Sequence, residues 1–159
     1  MQAEIIMDAL FADILDQGLD LRLKVTGRSM RPFINSGETV LLRKAAAGSL
    51  QRGDIIYYMD AADSAVLHRI MSWETAADGK ATFITKGDAL SMPDAPIAED
   101  GILAKAIYIE KVLPFIGPVQ LTIDSGFCKG LHAVYNLYRN IRHKFLNRTV
   151  LRKVFQSMQ

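Results

Sequence analysis

The chain has 159 residues, half of them hydrophobic and 23% charged, with a formal net charge of +2, which suits one soluble globular domain with a single core. No run of 18 apolar residues occurs, and the acidic start MQAEIIMDALFADILDQG lacks the basic-then-apolar order of a leader, so neither a spanning helix nor a targeting segment is expected. The single cysteine, Cys128, excludes an internal disulfide and no Cys/His cluster has zinc spacing; neither metal nor cofactor is expected, and a reducing cytoplasm fits this usage. The charge is uneven. Residues 1–20 carry five acids and no Lys or Arg, whereas residues 126–159 carry seven Lys/Arg and no acid.

In chain order, Ile5, Ile6, Leu10, Phe11, Ile14 and Leu15 recur at helical spacing, with Asp8, Asp13 and Asp16 on the other faces. They predict an N-terminal amphipathic helix over 1–18, stopped at Gly18. From Leu19 the period becomes two, with Leu19, Leu21, Leu23 and Val25 alternating with Asp20, Arg22, Lys24 and Thr26, the pattern of a half-buried strand. Further strands are expected over 39–43, 54–59, 65–73, 80–86 and 103–112, each next to a turn signal such as Asn35-Ser36-Gly37, Gly87-Asp88 or Asp100-Gly101. Short strands so spaced predict a mainly β (α+β) fold: a coiled, mostly antiparallel sheet over 19–112.

Residues 113–159 read as a basic helical extension. Pro114 and Pro118 bound a turn, after which Leu131, Val134, Tyr135, Tyr138, Ile141 and Phe145 form a helical stripe; past Asn147 it loses phase, so a kink or a second short helix over 150–155 is expected. This tail is expected to pack on the domain or on the acidic N-terminal helix. The alternative is peripheral contact with an anionic membrane, Tyr135, Tyr138, Phe145 and Phe155 dipping in. Nucleic acid is not an expected partner.

The chemistry centres on residues 27–34, GRSMRPFI, where a serine stands just before a proline-stiffened turn. A serine hydroxyl is a poor nucleophile until a base takes its proton. His132 and His143 lie in the basic tail, where a solvated helix face explains them. His68, in VLHRI, ends an apolar strand. Asp88 in TKGDA and Asp94 in MPDAP follow. Ser, His, Asp is one of several chain orders a serine triad takes, since the arrangement is defined in space. The plainer reading makes His68 a packed strand residue and Asp88 a turn former, and pattern alone leaves both open.

Ser29-Met30-x-Pro32, Gly53-Asp54-Ile55-Ile56, His68-Arg69 and Lys86-Gly87-Asp88 with Asp94 six residues on, taken together, resemble the type I signal peptidase superfamily, which includes the LexA-like repressors. The resemblance covers roughly residues 19 to 112. Many members use lysine as the base. His68 in that place is similar to the endoplasmic-reticulum, archaeal and sporulation-type branch. The resemblance implies a serine endopeptidase on a coiled LexA/signal peptidase-type sheet, acting on a peptide or protein, with Ser29 as nucleophile and His68 as general base. Either Asp88 or Asp94 would orient the imidazole, Asp94 being slightly favoured for direct contact. An imidazole, with an ordinary pKa of about 6.5, accepts a proton near neutral pH without the deep burial a lysine needs. Around the serine, the Ser29 N–H would be the first oxyanion donor, Met30 would plug the core, and Pro32 would hold the turn open.

The chain departs from the family pattern at two places. Signal peptidases typically carry Ser-Gly before the nucleophile, and that first hydroxyl can supply a second oxyanion donor. Gly27-Arg28 stands here, so that donor is absent and Arg28 brings a charge that can favour an acidic substrate group. The membrane tether of most members is not expected here either, an expectation that points away from general signal-peptide removal and toward a dedicated cytosolic substrate. The self-cleaving repressor mode is the less expected one, the stretch before residue 20 being too short to hold a DNA-binding half. The remaining alternative is a weak or inactive module that holds an extended peptide.

Overall fold

In the computed structural model, residues 10–113, 115, 117–123 and 130 are described. They form a mainly β domain with one helix near its start. That helix runs over 10–16 and closes when Leu19 N–H reaches Ile14 O and Gly18 N–H reaches Leu15 O, a Schellman end. Leu15 is buried, and Phe11 and Ile14 pack beside it, so the apolar stripe read from the sequence faces the core. Residues 1–9 of the expected helix and the stripe over 131–155 lie outside the described residues.

Among the described residues eight strands build one antiparallel sheet: β1 (Leu21–Lys24), β2 (Thr39–Arg43), β3 (Ile55–Met59), β4 (Ala65–Thr75), β5 (Ala81–Lys86), β6 (Ile97–Ala98), β7 (Ile102–Leu113) and β8 (Gly117–Thr122). Their order is β1-β2-β7-β3-β4-β5-β6, with β8 paired to the second half of β7. The six expected strands are present, β1 trimmed at both ends and β4 longer by one turn of the pleat. Two strands were not anticipated. β6 has only two residues, too few for a period. β8 contains Pro118, which reads as a turn residue, but it sits at a sheet edge, where a missing N–H is tolerated. The sheet therefore runs past residue 112 to 122.

At its centre, along β3, the sheet is buried on both faces. On β3, Ile55 and Tyr57 join one apolar cluster with Leu15, Leu21, Met30, Val40, Leu42 and Ile109. Ile56 and Tyr58, pointing the other way, join a second cluster with Leu50, Ile70, Phe83 and Ile97. A strand covered on both faces needs a continuous apolar run, and IIYYM supplies it. β4 carries the same alternation into the site: Leu67 enters the first cluster, whereas Val66 packs on the second.

Candidate active site

Ser29 is positioned by the chain reversal that follows β1. Gly27, at φ 94°, takes a left-handed conformation that favours glycine over any side-chain-bearing residue. Residues 28–34 then coil tightly, with Arg31 N–H donating to Arg28 O at 3.2 Å and Ile34 N–H to Met30 O at 3.0 Å. The Arg31–Pro32 peptide is cis. Met30 and Ile34, each 2% exposed, root this turn in the core and leave Ser29 half-buried at its rim.

His68 comes from the first half of β4, opposite Ile56 on β3. It is 7% exposed, and its Nδ1 lies 2.7 Å from Asp94 Oδ2. The same carboxylate oxygen accepts the Thr85 hydroxyl at 2.7 Å and the Tyr58 phenol at 3.2 Å. Asp94 is held by its main chain as well, since its N–H donates to Thr85 O at 2.8 Å. Burial pushes the Tyr58 phenol up to about 12; the Thr85 hydrogen bond opposes this and the nearby Asp94 charge adds to it.

Asp88 goes elsewhere. Its two oxygens take Arg69 Nε at 2.9 Å and Nη2 at 2.8 Å, while Arg69 Nη1 donates to Gly53 O at 2.8 Å. Arg69 and Asp88 are 4% and 2% exposed, and the guanidinium also stands 5.8 Å from the Phe33 ring centroid. The separation follows from strand geometry. Neighbours on a strand face opposite sides, so His68 and Arg69 each receive a different aspartate from the loop after β5. The ion pair between Arg69 and Asp88 ties the start of that loop to β4.

Gly87 joins the two halves. A Cβ built there would lie 2.8 Å from Ser29 O and 2.9 Å from His68 Nε2, so the serine main chain and the free edge of the imidazole meet across this glycine. Ala89 N–H donates to Ser29 O at 2.7 Å, fixing the serine turn to the same loop.

Ser29 and His68 both line a groove of about 460 Å³, bounded on one side by residues 23–27 after and along β1 and on the other by residues 65–68 of β4. β1 ends the sheet order, and β5 pairs with β4 only from Arg69 onward. Among the described residues, both walls of the groove thus present strand edges without a strand neighbour there. Met30, Ile34, Tyr57 and Leu67 give it an apolar floor, and Lys24 is its charged rim.

Of the residues singled out from the sequence, Ser29 and His68 line this groove with Met30 beneath them, Asp94 lines a neighbouring hollow and meets His68 from there, and Gly27, Arg28 and Pro32 belong to the serine turn. Thr85 and Tyr58 were not foreseen. Tyr58 reads as strand core, and the one available signal for Thr85 was a hydroxyl on the inward face of β5 beside Phe83.

No protein-family model matches the chain. Over 90 residues, 55% of this chain, it is 34% identical to a protein named Signal peptidase I W from Bacillus subtilis (strain 168), and the matched part spans 46% of that protein's length. The similarity supports a relationship of this chain to the signal peptidase I superfamily.

Proposed function

We propose that this domain is a signal-peptidase-like serine endopeptidase in which Ser29 attacks the scissile carbonyl and His68 Nε2 takes its proton. The imidazole then passes that proton to the leaving amine, and the same nitrogen later activates the water that releases the acyl group from Ser29. Asp94 orients the ring through Nδ1. Asp88 supports the site indirectly by holding Arg69 and the loop. The observation that carries this reading is the imidazole itself, bonded to Asp94 at 2.7 Å through one nitrogen while the other abuts Gly87 beside the serine.

The two strand edges that wall the groove suit a peptide bound as an added strand, its main chain bonding to one or both. Lys24 on the rim and Arg28 beside the serine favour an acidic side chain on that peptide. Among the described residues no helix is long and apolar enough to cross a membrane. The Ser29 N–H is one oxyanion donor, and Gly27 offers no hydroxyl as a second. Such a loss typically costs 10²–10³ in turnover, so hydrolysis is expected to be slow.

The test is hydrolysis of a panel of extended peptides, followed by mass spectrometry, with Ser29→Ala as the control. Cleavage by the parent and none by the variant supports the peptidase. Equal peptide binding by both, with no product from either, supports the second reading, a peptide-holding module. That reading is favoured by the missing hydroxyl at Gly27. A further expectation concerns Gly87→Ala. Its methyl group would press on a main-chain oxygen and on the imidazole at under 3 Å, so turnover should fall about 10²-fold through misplacement of the pair. Because a main-chain oxygen cannot swing aside as a side-chain end can, Tm should fall by several degrees as well, and undiminished activity in the Gly87→Ala variant would remove Gly87 from the account.

A further inference from the structure

Asp94 Oδ2 is shared by three hydrogen bonds. Besides the imidazole it receives Thr85 Oγ1 at 2.7 Å and Tyr58 OH at 3.2 Å, and Tyr58 OH also lies 3.0 Å from Thr85 Oγ1. Each hydroxyl has a single proton. The Thr85 proton is committed to Asp94, so the one phenol proton is shared in a three-centre bond between Thr85 Oγ1 and Asp94 Oδ2. Tyr58 is 2% and Thr85 0% exposed, which keeps water from replacing either donor. The phenol's raised pKa of about 12 keeps it protonated.

Two consequences follow for the imidazole. Both hydroxyls donate to the oxygen that faces the ring, so that oxygen is an acceptor toward Nδ1 as well; Nδ1 then carries the ring's N–H and Nε2 is left bare to accept a proton. Removing either hydroxyl would leave more of the carboxylate's charge facing the ring, which would favour the imidazolium. Other charged groups nearby are Asp60, which lines the hollow shared by Tyr58, His68 and Asp94, and the Arg69–Asp88 pair on the opposite strand face.

We infer that Thr85 and Tyr58 are positioning residues for the peptidase, acting through Asp94 to fix the imidazole tautomer and to set the pH at which the base becomes competent. The inference rests on the peptidase reading for its functional meaning, but the coupling can be measured without turnover. In full-length protein carrying Ser29→Ala, the His68 ring is titrated by NMR, its signal assigned by comparison with His68→Gln. Thr85→Val and Tyr58→Phe should each raise the midpoint by about half a pH unit or more. Thr85→Ser, which keeps the hydroxyl, should match the parent.

With Ser29 intact, kcat/KM for a cleaved peptide should fall on the acid side and recover at higher pH, with KM unchanged. A purely structural role lowers activity at every pH and leaves the midpoint in place. A midpoint that stays put or moves down in both variants overturns the inference. If Thr85→Val does not fold, Tyr58→Phe alone decides, because its phenylalanine keeps the ring that packs in the cluster of Ile56 and Phe83. A shifted midpoint in a protein that cleaves no peptide would uphold the coupling and count against the peptidase.

Discussion

His68→Ala should lower peptide turnover about 10³-fold or more, and adding Ser29→Ala to it should cost nothing further. In the proposed mechanism nucleophile and base act on one proton, so once either is gone the other has no step left to perform. The expected loss is smaller than for an enzyme with a complete oxyanion hole, because Gly27 already limits the starting rate. KM should hold, since the groove floor of Met30, Ile34, Tyr57 and Leu67 is untouched. Steady-state kinetics on the two single variants and the double variant provide the check. Single losses that multiply in the double variant would mean that Ser29 and His68 work separately, and the mechanism would fall.

The two aspartates should separate activity from stability. Asp88→Ala strips a bidentate partner from Arg69, leaving a guanidinium 4% exposed and short of its counter-charge. Breaking a buried pair by removing one partner costs about 3–5 kcal/mol, which for a domain of this size lowers Tm by roughly 10 °C or more. Asp94→Asn keeps shape and volume, so Tm should move by only a few degrees. Turnover should nevertheless fall about 10³–10⁴-fold, since an amide beside Nδ1 no longer enforces the N–H tautomer. Calorimetry and kinetics on the same two proteins test this. A reversed result, in which Asp88→Ala is stable but inactive and Asp94→Asn active, would move the orienting role to Asp88.

The blocks containing Ser29, His68, Asp88 and Asp94 were legible in the sequence because each sits beside a strong local signal: a proline turn, an apolar strand or a Gly-Asp loop. The choice between the aspartates was not. Both lie in one short loop after β5, six residues apart, and local pattern treats them alike. What separates them is that β4 presents His68 and Arg69 to opposite faces, so the loop must send one carboxylate to each. Thr85 and Tyr58 were hidden for a related reason. A threonine and a tyrosine are ordinary strand residues, and nothing local says that two strands on either side of β4 bring their hydroxyls to one oxygen.

The alternating and continuous apolar runs alone fixed six strands and the helix end at Gly18, because the periods of two and 3.6 are properties of the local backbone. They missed β6, too short to have a period, and β8, whose Pro118 is acceptable only because that strand has a neighbour on one side. Pairings across dozens of residues belong to the tertiary structure. It is the β3–β4 register, the ion pair of Arg69 with Asp88 and the absence of a side chain at Gly87 that bring an imidazole from β4 to a serine 39 positions earlier. Local sequence decides which face a residue points to. Only the folded sheet decides what it meets there.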